Sequence, residues 1–157
     1  MSKIKNLEEV KLIRYSAAKL GRKFVFTNGC FDILHVGHLR SLSEAKKLGD
    51  ILTVAINSDE SLKSLKKLSQ PVTVEAERAE LLAGLTCVDY VVVFDAPTAD
   101  GIILELKPDI CAKGTDYTEQ SVPERETILS FGGAIAITGD PKAHSTKDII
   151  SKIKSRI

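Results

Sequence analysis

The chain has 157 residues, 43% hydrophobic and 27% charged, the size and composition of one ordinary globular domain rather than a disordered segment. Its 22 basic and 21 acidic side chains leave a net charge of +1, too even a balance for the concentrated basic face that nucleic acid or a membrane surface would need. No apolar run approaches the roughly 20 residues that span a bilayer, and the N-terminal Met1–Asn6 lacks the apolar core of a secretion signal. The cysteines are Cys30, Cys87 and Cys111, odd in number and without Cys-x-x-Cys spacing, so a reduced cytoplasmic setting is expected and a zinc site is not. Cys87 and Cys111 read as small buried apolar residues, and Cys30 as packing rather than a nucleophile.

Taken in order, Leu7–Leu20 carries apolar residues at helical spacing and ends at Gly21, an N-terminal helix (within residues 1–21) expected to pack on the core. A buried strand over about Lys23–Asn28 follows, then a helix running to about Leu48 and stopping at Gly49-Asp50. Ile51–Asn57 is a near-continuous apolar strand, as in a parallel sheet covered on both faces. Ser58–Leu68 is polar and lysine-rich, read as a short helix and a mobile loop reaching Gln70-Pro71, and Val74–Leu85 as another helix. Strand Tyr90–Phe94, helix Thr98–Leu106, strand Asp109–Lys113, a turn at Gly114–Tyr117, a helix around Pro123–Ser130, strand Ala134–Thr138 and a last helix from Ser145-Thr146 complete the chain. This alternation predicts a single α/β domain over residues 1–157, a Rossmann-like doubly wound sheet of about five parallel strands with helices on both faces. In such sheets ligands bind beyond the carboxyl ends of the strands, where strand order reverses. That rule gathers His35 and His38, Asn57-Ser58-Asp59, Lys113–Asp116 and His144–Thr146 at one rim.

The most informative stretch is Phe24–Leu39, a strand that breaks at Asn28-Gly29 and ends in His35-Val-Gly-His38 where an amphipathic helix begins. The start of a helix offers unpaired N–H groups and the positive end of the helix dipole, and two imidazoles add donors whose pKa a polyphosphate would raise. Gly37 is read as leaving room for a phosphate between them. A nucleoside-triphosphate site is the expectation. Ser145-Thr146 opens the last helix and suits a cap and a phosphate contact equally. Lys113-Gly114 sets a cation at the tip of an apolar strand, before a residue that permits close approach. Lys63, Lys66 and Lys67 form a charge run, of which Lys66 is placed to close over a triphosphate. Arg78 on its helix invites either an exposed pair with Glu75 or a face toward the site. Asp32 could orient a histidine, help to hold magnesium, or cap the turn.

Gly29-Cys-Phe-Asp-Ile-Leu-His-Val-Gly-His38 resembles the signature of the cytidylyltransferase-like nucleotidyltransferases, which join a nucleoside monophosphate unit to a phosphorylated acceptor and release pyrophosphate. Lys113-Gly-Thr-Asp-Tyr117 is similar to a Lys-Gly-Gly-Asp-Tyr landmark of the heptose 1-phosphate adenylyltransferases. The order of all motifs, from Phe24 to Ile153, looks most like that group in a free-standing form without a sugar-kinase half. The resemblance implies transfer of AMP from ATP to D-glycero-β-D-manno-heptose 1-phosphate, giving ADP-heptose, with ATP as substrate, Mg²⁺ as cofactor and a homodimer as assembly. It further implies catalytic roles for His35, His38 and Lys66. Nucleotide contacts would come from Thr27, Asn28, Gly29, Cys30, Phe31, Gly37, Arg78, Lys113, Gly114, Asp116, Ser145 and Thr146, and substrate contacts from Asp32, Asn57, Asp59, Lys63 and Tyr117. No side chain is assigned to metal. Three departures bear on the sugar phosphate and the rim: Gln70 where arginine is usual, Thr115 in place of glycine, and His144 before the Ser-Thr pair.

An already anionic phosphate nucleophile needs no general base, so catalysis is expected to be positioning plus charge neutralisation. Within the same class the alternative is a cytidylyltransferase acting on glycerol 3-phosphate or a related alcohol phosphate. From another class it is a non-catalytic nucleotide-binding module. A class I aminoacyl-tRNA synthetase fragment is disfavoured because no Lys-Met-Ser-Lys-Ser loop is present, and an NAD-binding domain because no Gly-x-Gly-x-x-Gly follows the first strand.

Overall fold

A computed structural model describes residues 2–66, 71–141 and 144–157. Its elements in chain order are β1 (Ile4–Lys5), α1 (Leu7–Lys19), β2 (Phe24–Gly29), α2 (Val36–Lys47), β3 (Ile51–Asn57), α3 (Asp59–Lys66), α4 (Glu75–Ala83), β4 (Tyr90–Phe94), α5 (Asp100–Leu106), β5 (Ile110–Gly114), α6 (Arg125–Ser130), β6 (Ala134–Thr138) and α7 (Thr146–Lys154). The strands form one sheet in the order β1-β4-β3-β2-β5-β6, and every pairing is parallel. There are six strands, not about five. The addition is β1, whose two residues pair with Val91 and Val92 of β4 and are too few to show an alternating pattern.

Alternation along β2 explains the two-sided core. Phe24 and Phe26 face a cluster with Val10 and Ala17 of α1, Ile102, Ile103 and Leu106 of α5, and Ile128 of α6. Val25, between them in sequence, faces the opposite cluster with Leu42 and Ala45 of α2 and Ala79 and Leu82 of α4. The long helix α1 is fixed at its start by a capping box between Asn6 and Glu9, and its end passes into Gly21 at φ +65°, a left-handed conformation that glycine adopts without strain.

The amino ends of the strands are locked by carboxylates. Asp50 accepts the Lys23 N–H at 2.7 Å, Asp89 the Leu52 N–H at 2.7 Å, and Asp109 the Phe24 N–H at 2.7 Å. Arg14 spans both Asp109 oxygens, at 3.2 and 2.9 Å, and its guanidinium lies 5.7 Å from the centre of the Phe24 ring. With that rim closed by structural pairs, the carboxyl ends remain for ligands. Strand order reverses between β2 and β5, which places the crevice described above over Asn28-Gly29 and Lys113-Gly114.

Asp109→Ala leaves the buried Phe24 N–H and the Arg14 guanidinium without their shared acceptor, so a loss of about 1–3 kcal/mol is expected. Urea denaturation reads it directly, and an unchanged midpoint would show that this lock carries no stability.

Candidate active site

The turn after β2 is tight. Phe31 takes φ +50°, unusual for a bulky residue, and its ring covers Gly29, where a Cβ would lie 3.0 Å from it. This conformation sets the ring beside His38, with centroids 5.0 Å apart. His35 is the N-cap of α2, and its backbone N–H donates to His38 Nδ1 at 3.3 Å. An Nδ1 that accepts leaves the proton on Nε2, so His38 is a neutral donor through Nε2. The two imidazoles stack, with centroids 3.8 Å apart and planes inclined at 24°. Burial, with His35 as the second cause, pulls the His38 pKa from 6.5 to about 4. Burial also lowers that of His35, helped by His144 and opposed by Asp148. The Nδ1 of His35 is buried and has no hydrogen-bond partner among the described residues.

Gly37 serves a different neighbour from the one its spacing suggests. A Cβ there would lie 3.0 Å from Nδ1 and Cε1 of His35 and 3.5 Å from the Cβ of His144. The His35 ring therefore packs on Gly37, and any larger residue would crowd it and push it from its stack on His38. The same distances bring His144 against the start of α2. Ser145 is the N-cap of α7: its Oγ accepts the Asp148 N–H at 3.1 Å and donates to Asp148 Oδ2 at 2.7 Å. Ser145 thus caps the helix, Thr146 opens it, and two helix N-termini meet at one rim.

On the other flank, Arg78 is fully buried in α4 rather than paired on its surface with Glu75. Its guanidinium donates to the Thr73 carbonyl at 3.0 Å, the Cys30 carbonyl at 2.6 Å and Asp59 Oδ1 at 2.7 Å. Glu75 instead accepts the Asp59 N–H at 2.7 Å. Asp32 ties its turn to the segment before α4, a role that none of its three readings named: its Oδ1 accepts the Thr73 N–H at 2.9 Å. Asn57 is buried and donates to Ser61 Oγ at 3.1 Å, while the Cys30 thiol points at its Oδ1 at 3.7 Å. Burial raises the Cys30 pKa, and Lys66 and Arg78 pull it back; Lys66 itself is exposed at the end of α3. Lys63 pairs with Glu60 at 2.7 Å on the surface of α3, while Lys67 and Gln70 lie outside the described residues.

At the crevice floor, Thr27 is buried within β2 and Gly29 pairs with Ile56 of β3. Lys113 does not stand free at its strand end: its Nζ lies 2.6 Å from Asn28 Oδ1 and 2.8 Å from Glu124 Oε2. Glu124 was not singled out from sequence, and the Pro-Glu before a helix carries no signal of Lys113, its partner on the preceding strand. Gly114 and Tyr117 close a turn through a 3.1 Å backbone bond, with Asp116 exposed within it. Burial raises the Tyr117 pKa, with Glu124, Asp116 and Cys30 as further causes. Among the described residues no group of three or more His, Cys, Asp or Glu side chains is placed to hold a metal ion. A groove of about 620 Å³ between Leu34, Thr73 and α4 is lined by neither imidazole; its Glu77 and Glu80 make it a poor seat for phosphate.

His38 is expected to titrate near pH 4 in the ligand-free protein by ¹H–¹⁵N NMR. Because the unfolded chain binds that proton near 6.5, stability contributed by neutral His38 is present above pH 6.5 and falls as the pH drops toward 4. A His38 titration at or above 6.5 would contradict the buried, neutral donor.

The residues from 26 to 153 match the model of the cytidylyltransferase-like family. The chain is 44% identical over 154 residues to the bifunctional protein HldE of Geotalea uraniireducens, covering 98% of this chain and 31% of that protein. It is 45% identical over 152 residues to the bifunctional protein HldE of Geobacter metallireducens, covering 97% and 31%. The chain therefore spans about a third of the length of these relatives. A lipopolysaccharide core biosynthesis protein from Thermoplasma volcanium superposes with a TM-score of 0.63 at 33% identity, over 74% of this chain and 94% of that one. Pantoate-beta-alanine ligase from Francisella tularensis, at 17% identity and a TM-score of 0.62 over 98% and 77%, shares the fold. With stacked imidazoles at the mouth of a parallel sheet and a family match over most of its length, the chain belongs to the cytidylyltransferase-like family of nucleotidyltransferases.

Proposed function

We propose that this chain transfers AMP from ATP to a sugar 1-phosphate, most specifically D-glycero-β-D-manno-heptose 1-phosphate, releasing pyrophosphate and forming ADP-heptose. The observation that carries the reading is the stacked His35–His38 pair at the start of α2, against which the capped start of α7 is brought. Neutral imidazoles donate hydrogen bonds without repelling one another, and a phosphate chain arriving between the helix N-termini supplies the negative charge that favours their protonation. Similarity to proteins named bifunctional protein HldE, and to a lipopolysaccharide core biosynthesis protein, supports a phosphorylated sugar as acceptor.

The acceptor phosphate attacks the α-phosphorus in line, and the chain's work is to hold two polyanions together. His35 and His38 donate to phosphate oxygens, the α7 start with Ser145 and Thr146 binds the chain, and Lys66 closes from α3. The floor of Thr27–Gly29, Lys113 and Gly114, with Cys30, Phe31, Gly37 and Asp116, lies under the nucleotide. Arg78 acts from inside, by holding the Cys30 carbonyl and Asp59. Asp32, Asn57, Asp59, Lys63 and Tyr117 line the acceptor side. Mg²⁺, to which no side chain among the described residues is assigned, would enter with the nucleotide and supply positive charge against its phosphates. A homodimer and a cytoplasmic setting are part of the same proposal; no helix among the described residues is long and apolar enough to cross a membrane.

His38→Ala should lower turnover on the order of a hundredfold or more, by analogy with the loss of one preorganised donor, with the circular dichroism spectrum unchanged. Pyrophosphate release is the assay, with heptose 1-phosphate and ATP against glycerol 3-phosphate and CTP. The family's description makes the second pair the one competing reading. Faster turnover with CTP and glycerol 3-phosphate would replace the adenylyl assignment, and near-normal turnover in folded His38→Ala would remove the imidazoles from the mechanism.

A further inference from the structure

Across the crevice between β2 and β5, three side chains close on one another. Lys113 Nζ donates to Asn28 Oδ1 at 2.6 Å and lies 2.8 Å from Glu124 Oε2, while Asn28 Nδ2 reaches Glu124 Oε1 at 3.4 Å. The Lys113 and Glu124 side chains are each only 6% exposed. A buried ion pair of this kind is weak support for stability, because an apolar pair of similar volume usually serves the fold as well or better. Its place is informative instead. Asn28 is the penultimate residue of the strand that leads into the imidazole turn, Lys113 the penultimate residue of β5, and Glu124 stands immediately before α6.

We propose that Glu124 is a positioning residue for nucleotidyl transfer, holding Lys113 and Asn28 as the polar floor of the crevice between β2 and β5. The inference rests on the function proposed above and assigns a role to a carboxylate that it leaves unused. Lysine can only donate, so the Asn28 carboxamide must turn its oxygen to Lys113 and its NH₂ to Glu124. One carboxylate therefore fixes both the ammonium and the amide orientation. Because Glu124 neutralises Lys113, the floor adds little net positive charge; it sets spacing and hydrogen-bond direction, while the imidazoles and Lys66 answer the phosphate charge. Three segments of the rim thereby share one register, and a shift in one moves the others.

The test uses the full chain with E124Q, K113M and the double variant K113M/E124Q, read by melting temperature and by kcat/KM for pyrophosphate release. Each single variant strands one buried polar partner and should melt several degrees lower. The double variant, with no stranded charge, should recover most of that loss yet stay on the order of a hundredfold down in kcat/KM, the scale of a misplaced reacting group. A double variant that melts and turns over like the wild type would overturn the inference and leave a merely structural pair. Should the double variant not fold, E124Q is assayed at 10 °C, where circular dichroism reports whether it is folded. Its kcat should fall on the order of tenfold with little change in KM, and an unchanged kcat overturns the inference. A wild-type chain inactive with every nucleotide and acceptor pair would sink the functional reading and this inference together, whereas active wild type with a fully active double variant sinks the inference alone.

Discussion

The site depends on how α2 is fastened to the end of β6. Ser41 Oγ donates to the Thr138 carbonyl at 3.1 Å, Glu44 accepts the Gly139 N–H at 2.6 Å, and Arg40 pairs with Asp140. Gly139 has φ +103°, and a Cβ there would lie 3.1 Å from that of Ser41, so only glycine allows the chain to pass this close. Thr115 adds a bond from the β5 side, donating to the Asp140 carbonyl at 2.8 Å. The segment leaving β6 is thereby tied over α2 before α7 begins. Without these contacts the two helix N-termini would have no reason to face one another, and neither alone is more than an ordinary helix start.

Around that junction most charges are paired from within. Two stacked imidazoles are tolerable only while at least one is neutral, and burial keeps His38 so. The cations nearest the floor are already answered from within: Arg78 by Asp59 and two carbonyls, Lys113 by Glu124. Among the described residues this floor is not an open basic pocket. It offers donors, helix ends and held loops, the features on which the proposed phosphate site rests.

Much of the fold was legible because its signals are local. Apolar runs such as Ile51–Asn57, breaks at Gly21 and Gly49, and the capping residue Ser145 each act within a few residues, and the elements they mark are where they were expected. β1 was not, since a two-residue edge strand is defined by its partner β4 and not by its own pattern. The same division holds at the site. His35, His38 and the Ser145-Thr146 start were found from spacing and are brought together. The internal fastening of Arg78, the His35 ring over Gly37 and the Lys113–Glu124 pair are contacts between residues far apart in sequence, or choices of rotamer, and spacing does not encode either.

The central claim is that separate loops form a single phosphate cradle at the carboxyl rim. ¹H–¹⁵N chemical-shift mapping with a non-hydrolysable ATP analogue tests it most directly. The account predicts simultaneous, saturable shifts at the amides of Gly37–Leu39, Gly114 and Thr146-Lys147. Shifts confined to one of these segments, or centred on the groove along α4, would contradict it.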